Sequence, residues 1–322
     1  MFTNESGVPL YLAAWLVTDD YDYINDPKYI SATSLMKPLK EIILSKRVNQ
    51  EEKDIRDLVD LIPSSLGNAL HTAVESAWLN EKKRNNSLKL LGMEEDVIKN
   101  VVVNPTEVKE GQIPVYIEKR GFKDVLGYRI GGKFDCVIQG ILHDLKTTSA
   151  FSWVYGTRDD DFMLQGSLYR WIHPEIVTED SIRISFIFTD WMKASSLSNP
   201  AYPDSRIKHK DIPLMSIRET ELWVKNKIAK IDKLKNAPEE DIPRCTEEEV
   251  WLSEPKYRYF SDPTKTSGRA TRVFNNSQDA IAHQLDKQKG IILESPREAK
   301  KCSKYCPAFS VCTQKDEYNH PE

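Results

Sequence analysis

Gly131-Gly132-Lys133-Phe134-Asp135-Cys136-Val137-Ile138-Gln139-Gly140-Ile141-Leu142-His143-Asp144-Leu145-Lys146-Thr147 is the stretch that sets the architecture of this chain. Two β-forming runs flank Gln139-Gly140, and a glycine in the second place of a two-residue loop supplies the positive φ that hairpin turns of the primed type need. With that turn fixed, Ile138 faces Ile141, Val137 faces Leu142, Cys136 faces His143 and Asp135 faces Asp144. Side chains alternate with period two, so Lys146 shares a face with Asp144, while Phe134, Cys136, Ile138, Ile141, His143 and Leu145 point the other way. The expectation is a hairpin with one mostly apolar face and one chemical face. Like charges across a ladder repel, and close carboxylates do not both ionise cheaply. A divalent cation between Asp135 and Asp144 relieves both problems. Magnesium or manganese suits hard oxygen donors, and a lysine beside such a site can stabilise or deprotonate an attacking water. That is the chemistry of phosphodiester hydrolysis. A bare Asp-x-Lys is commoner as a solvated surface pattern, so the rest of the chain has to supply the context.

With 322 residues, 40% of them hydrophobic, the chain can bury a real core and has room for an appended module. A charged fraction of 29% and a net charge of -4 exclude a protein that coats nucleic acid through overall basicity. Any DNA contact is confined to a local patch. No cationic segment precedes the apolar run from Val8 to Val17, and no stretch approaches the length of a membrane span, so the expected location is the cytoplasm, away from membranes. The five cysteines, Cys136, Cys245, Cys302, Cys306 and Cys312, are an odd number with three crowded near the C-terminus. That pattern favours metal ligation in a reducing compartment over a secreted disulfide framework.

Further along the chain, Ile30-Ser31-Ala32-Thr33-Ser34-Leu35 reads as a strand end entering a helix capped by Ser31 or Thr33, with Lys37, Lys40, Lys46 and Arg47 along a solvated face. A charged segment over Glu51 to Ile62 precedes a clearer helix from Pro63 to about Leu79. On it Leu66, Leu70, Ala73, Val74 and Ala77 form an apolar stripe at helical spacing, with His71 and Glu75 one turn apart at its edge. Strands are expected over Val101–Val103, Ile113–Glu118 and Ile182–Phe188. A helix capped by Asp160 or Asp161 is expected over Phe162–Ile172, carrying Gln165 and Tyr169 on one face, and a long amphipathic helix over Ser216–Leu234. The result is an α/β fold: a mixed central sheet flanked by helices. The acidic, proline-bounded run Ala237–Pro243 marks a boundary, giving an N-terminal region (1–62), a core (63–240) and a cap (241–322). Within the cap, Lys256-Tyr257-Arg258-Tyr259-Phe260 with Lys265, Arg269 and Arg272 interleaves basic and aromatic residues, as surfaces that track a nucleic-acid backbone do. Cys136, on the apolar face of the hairpin, reads as a small core residue.

Four motifs in order, Leu66-Gly67-Asn68-Ala69-Leu70-His71, Gly132-Lys133-Phe134-Asp135, Asp144-Leu145-Lys146-Thr147 and Gln165-Gly166-Ser167-Leu168-Tyr169, together resemble the RecB-type branch of the PD-(D/E)XK nuclease superfamily. The wider layout is similar to its bacteriophage exonucleases. This resemblance implies a restriction-endonuclease-like core and a DNA exonuclease in which His71, Asp135 and Asp144 bind the catalytic Mg2+ or Mn2+. It gives Lys146 the nucleophilic water, Gln165 and Tyr169 the support of site and DNA, and Glu75 a lesser part. It also implies DNA, and recombination or replication proteins, as partners. The tail from Cys302 to Cys312 is similar to that of iron-sulfur nucleases, which implies a [4Fe-4S] cluster on Cys245, Cys302, Cys306 and Cys312. Four thiolates suit tetrahedral zinc equally by spacing. A non-catalytic DNA-binding or recombination-accessory protein of the same fold is the rival expectation; loss of Asp135, Asp144 or Lys146 would mark it, and all three are present.

Overall fold

A computed structural model of the chain describes residues 2–19, 22–49, 56–155 and 158–318. Its strands in chain order are β1 (Phe2–Thr3), β2 (Tyr29–Ser31), β3 (Arg56–Asp57), β4 (Val101–Val103), β5 (Ile113–Ile117), β6 (Arg120–Val125), β7 (Tyr128–Lys133), β8 (Cys136–Ile138), β9 (Ile141–Thr148), β10 (Ser181–Phe188), β11 (Ile207–Pro213), β12 (Tyr257–Phe260), β13 (Arg272–Phe274) and β14 (Ile291–Glu294). The α-helices are α1 (Leu10–Val17), α2 (Ala32–Leu35), α3 (Leu39–Leu44), α4 (Ile62–Leu79), α5 (Glu81–Leu90), α6 (Glu95–Asn100), α7 (Ala150–Tyr155), α8 (Asp159–Ile172), α9 (Lys193–Ser198), α10 (Ile217–Leu234), α11 (Ser277–Lys287) and α12 (Lys300–Tyr305). The chain divides into two compact units, residues 1–37 with 55–230 and residues 38–54 with 231–322.

The first unit is built on a six-stranded mixed sheet of order β11-β10-β9-β8-β5-β4, the architecture expected from the sequence. Parallel pairing joins β10 to β9 and β5 to β4, and the remaining neighbours are antiparallel. Both central residues of the hairpin turn have positive φ, Gln139 at 49° and Gly140 at 83°, as a type I′ turn requires. The expected register follows, with Cys136 opposite His143, Val137 opposite Leu142 and Ile138 opposite Ile141. The division into one apolar and one chemical face is corrected, however. Val137, Leu142 and Asp144 are the deeply buried members, while Cys136 and Ile138 pack half-buried against Leu88, Ile98, Val101, Val115 and Ile117. Helix α8 packs against β10 and β11 and α4 against β5 and β9, while the Arg183–Asp211 pair across β10 and β11 keeps part of one face open to solvent.

The other half of the opening stretch, Gly131 to Lys133, belongs to a second, three-stranded sheet of order β2-β7-β6. Its β6-β7 turn, Leu126-Gly127, repeats the doubly positive φ of Gln139-Gly140. The chain therefore leaves the main sheet after β5, makes a hairpin arm, and re-enters at β8 through Phe134 and Asp135.

Three helix expectations change. Ser31 caps α2 by accepting the Ser34 N–H, but α2 stops at Leu35, and α3 buries Lys40, Glu41, Ile42, Ile43 and Leu44 where a solvated face was expected. On α4 the apolar stripe faces outward except at Leu70, Leu66 and Val74 each being 43% exposed. The inward edge carries Gly67, Leu70, His71, Glu75 and Trp78, because Gly67 lies so near Thr147 that an added Cβ would meet its hydroxyl at 3.2 Å. Asp160 and Asp161 lie within the first turn of α8, together with Asp159, and none caps it; there they still complement the positive helix end. The charged segment expected over 51–62 falls partly outside the described residues.

In the second unit α3 packs with the C-terminal residues: Ile43 and Leu44 share a core with Ile242 and Ala308. Two ion pairs with buried partners reinforce it, Lys40 to Glu239 at 2.9 Å and Glu41 to Lys301 at 3.1 Å. A small antiparallel sheet, β13-β12-β14, packs Tyr259 and Phe274 against Ala280 of α11. The basic and aromatic residues of this region lie on each other, Arg258 over Phe260 and Arg272 over Phe274.

Candidate active site

Asp144 sits mid-strand in β9, the strand flanked by β8 and β10, and its side chain is only 3% exposed. Such a carboxylate needs donors. Gln165 of α8 donates from Nε2 to Asp144 Oδ1 at 3.0 Å, and the same Nε2 lies 3.3 Å from the Tyr169 hydroxyl one turn on. The Lys146 ammonium is 2.5 Å from Asp144 Oδ2, yet Oδ2 accepts no well-directed hydrogen bond. Asp135 occupies the step between the two sheets, where its Oδ2 accepts the Leu145 N–H at 2.9 Å. Burial first, and then the neighbouring Asp144 charge, push the Asp135 carboxyl up to about 6.

His71 reaches the same place from α4. Its Nε2 is 3.0 Å from the Leu145 carbonyl, which can only accept, so this nitrogen carries the proton. Nδ1 then turns a lone pair toward Asp135 Oδ2, 3.3 Å away. Two lone pairs so placed call for a proton or a cation between them. A ring whose second nitrogen donates to a backbone carbonyl is the usual posture of a metal-binding histidine. The six residues His71, Asp135, Asp144, Lys146, Gln165 and Tyr169 thus fall into two contact groups, His71 with Asp135 and Asp144 with Lys146, Gln165 and Tyr169, joined through the Leu145 backbone that both His71 and Asp135 touch.

One participant was not foreseen. Glu118 follows β5 in a left-handed conformation, φ 49°, and donates its N–H to the Asp135 carbonyl at 3.0 Å. Its carboxylate pairs with Lys133 at 2.5 Å. Among the described residues His71, Glu118 and Asp135 form the one group of three donor side chains whose ligand atoms all lie within 4.8 Å of one another. An acid directly after an apolar strand was the only sequence signal, and it is a common one.

In the second unit, Cys245, Cys302, Cys306 and Cys312 are half-buried free thiols. They lie close enough to influence one another's ionisation, and burial is the main cause raising all four, Cys245 to about 12 and Cys306 to about 11. Gln314, buried and absent from the sequence expectations, clamps Cys245 by accepting its N–H at 3.0 Å and donating to its carbonyl at 2.9 Å. Cys136 lies apart in the hydrophobic core under the main sheet, in line with its reading as a core residue.

No family model matches the chain, and no curated protein matches its sequence. Solved structures with partial likeness include SSO0001, at 14% identity and a TM-score of 0.41 over 71% of this chain and 86% of that one. A structure named "putative exonuclease", from Eubacterium rectale, shares 12% identity at a TM-score of 0.33, over 67% of this chain and 87% of that one. A phage-related exonuclease from Haemophilus somnus 129PT shares 12% at 0.29, over 64% and 93%.

Proposed function

We propose that the chain is a metal-dependent DNA nuclease that hydrolyses phosphodiester bonds, acting from strand ends as an exonuclease. The observation that carries this reading is the convergence of His71, Asp135, Asp144 and Lys146 on one half-enclosed site. The donor set, two carboxylates and an imidazole nitrogen with its lone pair turned inward, fits a hard divalent cation. Bound there, Mg2+ or Mn2+ would supply Lewis-acid stabilisation of a phosphoryl oxygen and a more acidic water. His71, Asp135 and Asp144 would hold it. Lys146, on the same face of β9 as Asp144, would hold the attacking water and take part in its deprotonation. Gln165 fixes the Asp144 carboxylate through Oδ1, leaving Oδ2 for other partners, and Tyr169 backs Gln165.

The four clustered cysteines are proposed to hold one metal centre in the second unit. Four thiolates suit a [4Fe-4S] cluster or a tetrahedral zinc, and the likeness of the Cys302–Cys312 tail to iron-sulfur nucleases is what favours the cluster.

Labelled linear and circular DNA incubated with Mg2+ or Mn2+ tests the main reading. Degradation of the linear form with the circle spared is expected from the parent chain, and loss of cleavage from well-folded Asp135→Ala, Asp144→Ala and Lys146→Ala. Cleavage retained by contaminant-free Asp144→Ala would sink the mechanism. DNA binding without cleavage under any divalent cation would instead favour a non-catalytic accessory protein.

A further inference from the structure

We propose that Glu118 belongs to the metal site and that Lys133 stands in for the cation until one binds. This rests on the reading of the site as a metal centre and concerns how it fills.

Three carboxylates, Glu118, Asp135 and Asp144, meet here, and each is balanced differently. Asp144 has Lys146 and Glu118 has Lys133, whereas Asp135 faces the His71 ring, which balances it only when a proton or a cation lies between them. The Glu118 carboxylate is only 15% exposed and lies within 4.8 Å of donors on His71 and Asp135. Nothing about strand formation asks for an acid there. The residue directly follows β5 in a left-handed conformation that side chains seldom adopt, and backbone strain of this kind persists where the surroundings enforce it. What enforces it is the hydrogen bond from the Glu118 N–H to the Asp135 carbonyl, which also ties the acid to its neighbouring donor.

Lys133 is placed poorly for a purely structural role. It lies directly opposite Arg120 in the β6-β7 ladder, and like charges so paired weaken a sheet. Its side chain is 41% exposed, so the ammonium can swing into solvent at small cost once another cation neutralises Glu118. Lys146, paired to the buried Asp144, keeps its place. Divalent metal binding is therefore an exchange, in which an ammonium leaves one carboxylate as a harder cation arrives.

Two substitutions then have opposite signs. Mn2+ binding is measured by electron paramagnetic resonance, without DNA, on the parent, Glu118→Gln, Lys133→Met, the double variant and Asp135→Asn. Glu118→Gln should weaken binding by fivefold or more, and Lys133→Met should tighten it by twofold or more, because the competitor is gone. The double variant should match Glu118→Gln. A change smaller than fivefold in Glu118→Gln, or a Lys133→Met variant that binds as the parent does or more weakly, overturns the proposal and leaves the pair as a strand clamp. If Glu118→Gln does not fold, Lys133→Met alone decides by the same criterion. Asp135→Asn separates the two levels: parental binding by that variant overturns the metal site itself, whereas its loss beside an indifferent Glu118 overturns only this inference.

Discussion

At the scale of single residues the site is a problem of charge in a confined space. Gln165 gives Asp144 its one well-formed side-chain hydrogen bond. Hydrogen bonds to charged acceptors contribute about 1.5–3 kcal/mol, and groups that orient a metal ligand typically change metal affinity or activity 10–100-fold. Gln165→Leu is therefore expected to lower thermal stability modestly and cleavage by about tenfold or more, checked by calorimetry and single-turnover rates; an unchanged rate would return Gln165 to a surface role. Asp135 makes a pH prediction. Its carboxyl titrates near 6 in the folded chain against an ordinary value of 3.8, with His71, Asp144, Lys146, Glu118 and Lys133 around it. Between those values the native state keeps a proton that the unfolded state has lost, so stability from this group is full below about pH 4 and is lost as pH rises through about 6. Urea midpoints of metal-free protein should show this fall, and Asp135→Asn should remove it; an equal slope in the variant would contradict the assignment. The residues themselves were legible because Asp-x-Lys, the glycine-led aspartate and Gln-x-x-x-Tyr have fixed spacings. Glu118 was not, since its role depends on a backbone twist and on a strand exit that no local pattern announces.

Among the elements, the two hairpin turns offer a controlled comparison. Gly140 and Gly127 both have positive φ, yet a Cβ on Gly140 would overlap the Thr178 hydroxyl whereas one on Gly127 meets nothing within 4 Å. The backbone penalty for a left-handed residue with a side chain is about 1–2 kcal/mol in each case. Gly127→Ala should therefore cost about that much, and Gly140→Ala distinctly more, with a larger loss of cleavage because Asp135 and Asp144 depend on the register it fixes. Equal denaturation midpoints would show that the Thr178 collision relaxes away. Both glycines carried the same two-residue turn signal, and only the one beside the aspartates was read as a hairpin. The arm formed by β6 and β7 was missed because Gly131 to Lys133 run without a sequence break into Asp135, although the backbone changes sheets there. The helix α4 misled in another way: its apolar spacing is real, but the close approach of Gly67 to Thr147 turns His71 inward and leaves Leu66 and Val74 outside.

For the whole molecule, the cysteine centre makes the testable claim. Cys245 and Cys302 are far apart in sequence, and closing so long a loop through a metal removes much freedom from the unfolded chain. Cys245→Ser, purified anaerobically and analysed for iron, sulfide and zinc, should lose its metal and show faster hydrogen exchange across residues 231–318 and also across 38–49, with residues 56–155 unchanged. A full metal complement in that variant would refute the four-cysteine assignment. The sequence placed a boundary near Ala237–Pro243 but gave no hint that α3 keeps company with the C-terminal residues, because long-range partners such as Lys40 with Glu239 leave no periodic trace. That partnership has a consequence for biosynthesis. Glu41 leaves the ribosome 260 residues (301 − 41) before the lysine that neutralises it, an interval of about 13–50 s at 5–20 residues per second. Throughout that time Ile43 and Leu44 lack the core they finally join, so in the nascent chain residues 38–49 are a natural foothold for chaperones until the last cysteines emerge.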